Sequence, residues 1–393
     1  MNFAYSAPED AFREELRAWL HVHVPRGPRV FATLDAEAAF LTEWQRTVHS
    51  AGWAAVHWPR ECGGRGATLT EQAIFQEEMA AARAPQMMNR VGINLVGPTL
   101  IAHGTEAQQR RYLPAILSCD EIWCQLFSEP DAGSDLASLR TRAEPVGDAF
   151  RVQGQKVWTS YAQFARWGIL LARTDASAAK HKGLSYLIVD MHSPGIEIRP
   201  LRQLTGSAEF SETFFEDVLV PRENLIGEVN RGWEIAQTTL AHERGTAFPF
   251  KEQVLHRIAV DELFELVRRR NDPGTAPASD PVVRQRLAAR FIDVEVMRLH
   301  NCRMMTKLGR GAMPGPESSI VKLFWADLTQ ALFENALDIL GAEAQLVHGD
   351  RRAEADGRWP QGMLWSRCGS IAGGTSEIQR NIIAQRLLGL PRS

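Results

Sequence analysis

The chain has 393 residues, a hydrophobic share of 45%, a charged share of 23% and a formal net charge of -3 at pH 7. That length supports two or three domains or one large layered unit with a sizeable core. The composition is that of an ordinary globular protein, and the charge balance gives no overall attraction to nucleic acid or an anionic membrane. No apolar run is long enough to span a bilayer, and Met1 to Leu20 lacks the apolar core of a signal peptide, so a cytoplasmic location is expected. Cys62, Cys119, Cys124, Cys302 and Cys368 include no Cys-x-x-Cys pair, which speaks against a disulfide framework or a zinc site.

From Ser6 to about Leu117 the hydrophobic period is helical. Ser6 and Glu9 have the spacing of a capping box, and Phe12, Leu16, Trp19 and Leu20 form one apolar stripe. The run CGGRGA at Cys62 to Ala67 breaks the pattern. From about Ile122 to Val220 short β-branched and aromatic runs take over, at Phe150–Val152, Val157–Ser160, Trp167–Leu171, Leu184–Val189 and Thr213–Val220, with turn signals at His181–Gly183 and His192–Gly195. This reads as an antiparallel sheet.

Long helical patterns return from Gly232. They are interrupted by NDPGTAPASDP at Asn271–Pro281 and GRGAMPGP at Gly309–Pro316. The last helix reads as capped by Ser376 with Gln379 and closed by Gly389. Helices, then sheet, then helices predict an α+β architecture: an N-terminal helical domain over 1–120, a middle antiparallel β-domain over 121–231 and a C-terminal helical domain over 232–393.

Three segments carry chemistry. In QLFSEPDAGSD, Gln125 to Asp135, Ser128 offers a hydroxyl, Gly133 allows a conformation that side chains forbid, and Ser134 with Asp135 suits a turn whose amides face an anion. Read alone, this run fits a structural turn better than a ligand site. In KVWTS, Lys156 to Ser160, an indole stands beside hydroxyls on a strand, which suits stacking an aromatic ring and hydrogen-bonding its edge. In AGGTSEIQR, Ala372 to Arg380, two glycines allow close backbone approach before a helix N-terminus that favours phosphate.

These segments in this order, with GWAAVHWPRECGGRG near the N-terminus, GPTLIAHGTEAQQRRYLP at Gly97–Pro114 and IQRNIIAQRLLGLP near the end, resemble the acyl-CoA dehydrogenase family over essentially the whole chain. The resemblance implies a helical, β and four-helix-bundle three-domain fold, assembled as a tetramer or dimer, with one FAD per subunit. It implies flavin-ring contacts from Gln125, Phe127 and Ser128, neighbours of the pyrophosphate or CoA at Gly133 and Ser134, a flavin-packing Trp158 and a hydroxyl at Ser160. It further implies FAD contacts from Thr375 and Glu377, and a segment holding Asp338 and Gly341 along the adenosine half in a partner subunit.

The chain departs from the family pattern at two places. The commonest catalytic base is a glutamate at the position of Gly373, which has no side chain. In the isovaleryl- and long-chain-type group the base stands on an earlier helix before an arginine, matching Glu243 and Arg244. On a helix through this segment, Trp233, Ala236, Leu240 and Ala247 share a face with Glu243 at its edge, so a buried Glu243–Arg244 structural pair is the competing reading. An Arg and Phe-Gly that often reach the neighbour's FAD are replaced by the Asn271–Pro281 run, leaving Arg284 or Arg286 as substitutes.

The resemblance implies α,β-dehydrogenation of an acyl-CoA thioester, a carbonyl-binding amide at Gly373, and electron transfer to an electron-transfer flavoprotein. The alternatives are a flavin monooxygenase or oxidase on the same fold, and one subunit of a heteromeric dehydrogenase.

Overall fold

Local chemistry caps the start of several helices. Ser6 and Glu9 close the expected capping box at the head of α1 (Ala7–His23), whose Leu16 and Leu20 are buried. Thr33 caps α2 (Leu34–Ser50), and Thr105 with Gln108 forms a capping box on α5 (Glu106–Ser118). Between them lie α3 (Leu69–Ala81), a π-helical turn at Gly92–Val96 and α4 (Gly97–His103). The computed structural model describes residues 5–27, 30–243, 247–270, 277–310 and 315–391; of Glu243, Ala247 and Phe248 it describes the backbone.

The sheet contains β1 (Trp123–Leu126), β2 (Arg142–Val146), β3 (Ala149–Ser160), β4 (Trp167–Arg173), β5 (Leu184–Asp190), β6 (Ile196–Leu201), β7 (Phe210–Pro221) and β8 (Leu225–Ile226). Its order is β6-β7-β3-β2-β4-β5-β8, with β1 added beside β4. Most pairs are antiparallel as expected, but β1 runs parallel to β4, and β2 touches β4 in a parallel bridge. The runs at Phe150 and Val157 are one strand, bent by irregularities between Val152 and Gly154 and between Lys156 and Thr159.

The later helices are α6 (Gly232–Glu243), α7 (Ala247–Arg269), α8 (Pro281–Leu308), α9 (Glu317–Leu340), α10 (Arg358–Ser366) and α11 (Ser376–Ile382). The loop expected at Asn271–Pro281 lies outside the described residues for 271–276, and the break at Gly309–Pro316 does so for 311–314.

The chain divides into two compact units that cut across its linear order. One unit contains Pro25–Thr68 and Pro85–Glu243, and so holds the sheet and α6. The sheet core buries Phe150, Val152, Leu170, Leu187 and Val218 completely. The other contains Met1–Val24, Leu69–Ala84 and Arg244–Ser393, so α1 and α3 group with α7 to α11. There Arg17 meets Glu78 at 2.7 Å, and Leu263, Val294, Trp325, Leu332 and Trp359 form the core. Among the described residues no helix is long and apolar enough to cross a membrane.

Candidate functional site

In the sheet unit, β1 delivers the chain into SEPDAGSD, and a buried ion pair ties this turn to β3. Lys156, 0% exposed, places its Nζ 2.9 Å from both the Phe127 carbonyl and Glu129 Oε1. Glu129 also accepts the Arg140 amide at 2.6 Å and the Thr141 amide at 2.9 Å. The Val157 amide donates to the Ser128 carbonyl at 2.9 Å, so QLFSEPDAGSD and KVWTS form one stapled unit. Burial pulls Lys156 down to about 8 against the opposing attraction of Glu129. Burial alone would raise Glu129, but the Lys156 charge and the donated hydrogen bonds bring it below its usual value.

Downstream of the staple, Trp158 has φ 61°, in the left-handed region, and its indole is 60% exposed with Phe210 edge-on at 6.2 Å. Among the described residues the buried Thr159 hydroxyl has no hydrogen-bond partner, and Ser160 follows at the end of the strand, half-buried. The Ser128 amide donates to no group of the chain among the described residues. Gln125 is half-buried on β1, and Phe127 is buried with its ring edge-on to Tyr186 at 5.7 Å. An exposed indole beside unpaired donors and hydroxyls fits a flat aromatic ring with a polar edge, as in FAD.

Gly133 corrects an expectation. Its φ lies outside the left-handed region, and an added Cβ would meet nothing within 4 Å, so no contact within the chain demands glycine there. Ser134 is exposed, and Asp135 pairs with Lys180 instead of capping a turn through its side chain.

In the helical unit the loop before α11 is pinned from below. Lys322 donates to the carbonyls of Gly369 at 2.9 Å and Gly374 at 2.6 Å. Gln379 donates to the carbonyls of Gly373 at 3.0 Å and Gly374 at 3.2 Å. Gly373 and Gly374 have φ of 64° and 90° in succession, which glycine adopts without strain. Their amides donate to no group of the chain among the described residues. The expected cap at Ser376 is one residue off. Thr375 is the N-cap and accepts from the Ile378 amide at 3.3 Å, the buried Ser376 hydroxyl has no partner among the described residues, and Gln379 serves the loop instead. With 7 residues in α11, the useful donors are these glycine amides more than a helix dipole.

Glu377 is exposed and lowered by its own amide and the Thr375 hydroxyl. Asp338, exposed near the end of α9, is paired with Arg286, and Gly341 follows the helix with φ 59°. Arg286 is therefore engaged within the chain, while Arg284 reaches the Ala278 carbonyl at 3.5 Å.

Glu243 is the last residue of α6; its side chain and all of Arg244 lie outside the described residues. Trp233, Ala236 and Leu240 of the expected stripe lie on α6 and Ala247 lies on α7, with residues 244–246 between them outside the described residues. The buried face of α6 is Ile235, Ala236 and Thr239, and Leu240 is half-buried. Thr239 joins a hydroxyl cluster with Thr99 and Tyr186, each at 2.9 Å.

His57, which burial pulls down to about 4 with His242 adding to the effect, was not legible from the sequence. The roles of Lys156 and Lys322 also come from the structure. A usable signal was present for both lysines. Lys156 shares the inward parity of Phe150 and Val152, and Lys322 falls on the face of α9 that buries Trp325 and Ala326.

Acyl-CoA dehydrogenase family models match the N-terminal domain at residues 6–120, the middle domain at 124–218 and the C-terminal domain at 230–388. Acyl-CoA dehydrogenase IpdE1 of Mycobacterium tuberculosis is 42% identical over 392 residues, covering 98% of both chains. The protein of the same name from Mycolicibacterium smegmatis is 41% identical, with 97% of each chain covered. Among solved structures, a chain of the ChsE4–ChsE5 complex from Mycobacterium tuberculosis superposes with a TM-score of 0.86 at 33% identity, covering 100% of this chain and 100% of that one. The Tcur3481–Tcur3483 steroid acyl-CoA dehydrogenase has a TM-score of 0.85 at 31% identity, again over 100% of both chains. The chain belongs to the acyl-CoA dehydrogenase family. It is an oxidoreductase, and FAD is its cofactor.

Proposed function

We propose that this enzyme dehydrogenates a bulky, ring-bearing acyl-CoA of steroid type to the trans-2-enoyl thioester, with Glu243 as the base. The observation that carries this reading is Gly373. At the position where the resemblance puts the usual carboxylate, a glycine holds a left-handed φ of 64° and has no side chain to move a proton. Glu243, at the end of α6 and followed by Arg244, matches the relocated base.

In this reading Glu243 takes the proton from the substrate α-carbon. The Gly373 amide donates to the thioester carbonyl and stabilises the negative charge that develops as the α-proton leaves. Bound FAD would supply the acceptor for the β-hydrogen, which would leave as hydride. By the resemblance, Gln125, Phe127, Ser128, Trp158 and Ser160 would hold its ring, Gly133 and Ser134 would border its pyrophosphate or the CoA, Thr375 and Glu377 would also touch FAD, and Asp338 and Gly341 would lie along the adenosine half of FAD in a partner subunit. Electrons then pass to an electron-transfer flavoprotein in the cytoplasm.

The steroid-type substrate is supported by the likeness to the Tcur3481–Tcur3483 steroid enzyme. That likeness and the one to the ChsE4–ChsE5 complex support a second reading for assembly, in which this chain pairs with a different subunit. An anaerobic panel of linear, branched and steroid-side-chain CoA thioesters tests the substrate. Bleaching of the flavin is expected fastest with the steroid type and absent in Glu243→Gln with FAD still bound; full bleaching in that variant would remove Glu243 from its role. Mass measurement of the native complex, with and without a co-expressed sister subunit, decides the assembly.

A further inference from the structure

We infer that Lys156, held by Glu129, is a positioning residue that aims the Ser128 amide at the cofactor, an inference that rests on the flavin seat proposed above. In a trans peptide the carbonyl and the following N–H point in opposite directions. Lys156 Nζ holds the Phe127 carbonyl at 2.9 Å, so the Ser128 N–H at the other end of that peptide is turned away from the lysine. The next peptide is fixed as well, because the Ser128 carbonyl accepts from the Val157 amide at 2.9 Å. Nothing in the described chain accepts from the Ser128 N–H. A cation on the carbonyl also polarises the peptide and makes its N–H a stronger donor.

Stability does not explain the lysine. A fully buried ion pair is commonly matched or bettered by apolar side chains of similar volume. A methionine would fill the space of Lys156, but it would neither hold the Phe127 carbonyl nor polarise the peptide. Glu129 keeps the ammonium in place: three donors converge on its carboxylate, from Lys156, Arg140 and Thr141. The arrangement therefore spends two buried charges on the orientation of one backbone amide.

The test compares purified holoenzyme of the wild type, Lys156→Met, the double variant Glu129→Leu/Lys156→Met, and Trp158→Ala. FAD affinity, the visible flavin spectrum and the flavin midpoint potential are measured beside thermal unfolding. Both Lys156 variants should bind FAD about tenfold more weakly, the loss expected for one hydrogen bond of this kind. They should also shift the flavin bands and potential, and the double variant should melt close to the wild type. A double variant with native melting, affinity within about twofold and an unshifted spectrum overturns the inference, since a tenfold loss corresponds to the missing bond. Failure of both variants to fold overturns it too, because the pair is then a scaffold element. Trp158→Ala separates the two levels. If it leaves FAD affinity and spectrum untouched, the flavin seat itself is misplaced; if it alters them while the Lys156 variants do not, only the positioning role falls.

Discussion

Lys156 on β3 and Lys322 on α9 each bury an ammonium beneath a segment assigned to ligand binding, yet their surroundings are opposite. Lys156 is 0% exposed and shares its charge with Glu129 at 2.9 Å. Lys322 is 9% exposed and donates to the Gly369 and Gly374 carbonyls, with no carboxylate in ion-pair distance among the described residues. In both cases the lysine grips carbonyls and leaves nearby amides, at Ser128 or at Gly373 and Gly374, without a partner in the chain. The two arrangements follow the rule that a fully buried charge takes a counter-charge, while carbonyl dipoles hold a lysine that keeps a trace of solvent.

The largest break of this comparison is Glu129→Gln. It leaves the Lys156 ammonium buried without its counter-charge and should cost about 3–5 kcal/mol, read by urea unfolding. Lys322→Met should cost less, about 2–3 kcal/mol, because it deletes the charge together with its hydrogen bonds. Equal losses would mean that Glu129 does not carry the burial of Lys156.

A pH series sharpens the contrast within the sheet unit. The folded His57 takes a proton only near about 4, against about 6.5 for an ordinary histidine. Protonation over that interval favours the unfolded chain, so stability should fall as pH drops from about 6.5 to about 4, by on the order of 2–3 kcal/mol. His57→Gln should flatten that slope; an unchanged slope assigns the acid sensitivity elsewhere. The smallest effect concerns the cap of α11. Thr375→Ala should lose about 1 kcal/mol and Ser376→Ala close to nothing, since the Thr375 oxygen is the one that accepts an amide.

Much of the architecture was legible because period and capping follow from side-chain chemistry. The Ser6–Glu9 box and the β-branched runs of β4, β5 and β7 appear where expected. Other strands were hidden by their composition. β2 and β6 are largely exposed, carry charges and contain Pro145 and Pro200, while β1 is only 4 residues long. The cap of α11 was misread because Thr375 and Ser376 are both good caps, and only the backbone distinguishes them. At the proposed site, the segments assigned to ligand binding were visible as unusual runs. Lys156 and Lys322 were not, because a single lysine in a strand or helix reads as surface until its parity is compared with its buried neighbours.

The most direct measurement is exchange of the substrate α-hydrogen. A steroid-type acyl-CoA deuterated at Cα is incubated anaerobically with the FAD-loaded enzyme and the loss of label is followed by mass spectrometry. Washout in the wild type and none in Glu243→Gln, with FAD content equal in both, is the predicted result. Washout at the wild-type rate in Glu243→Gln would contradict the assignment of the base.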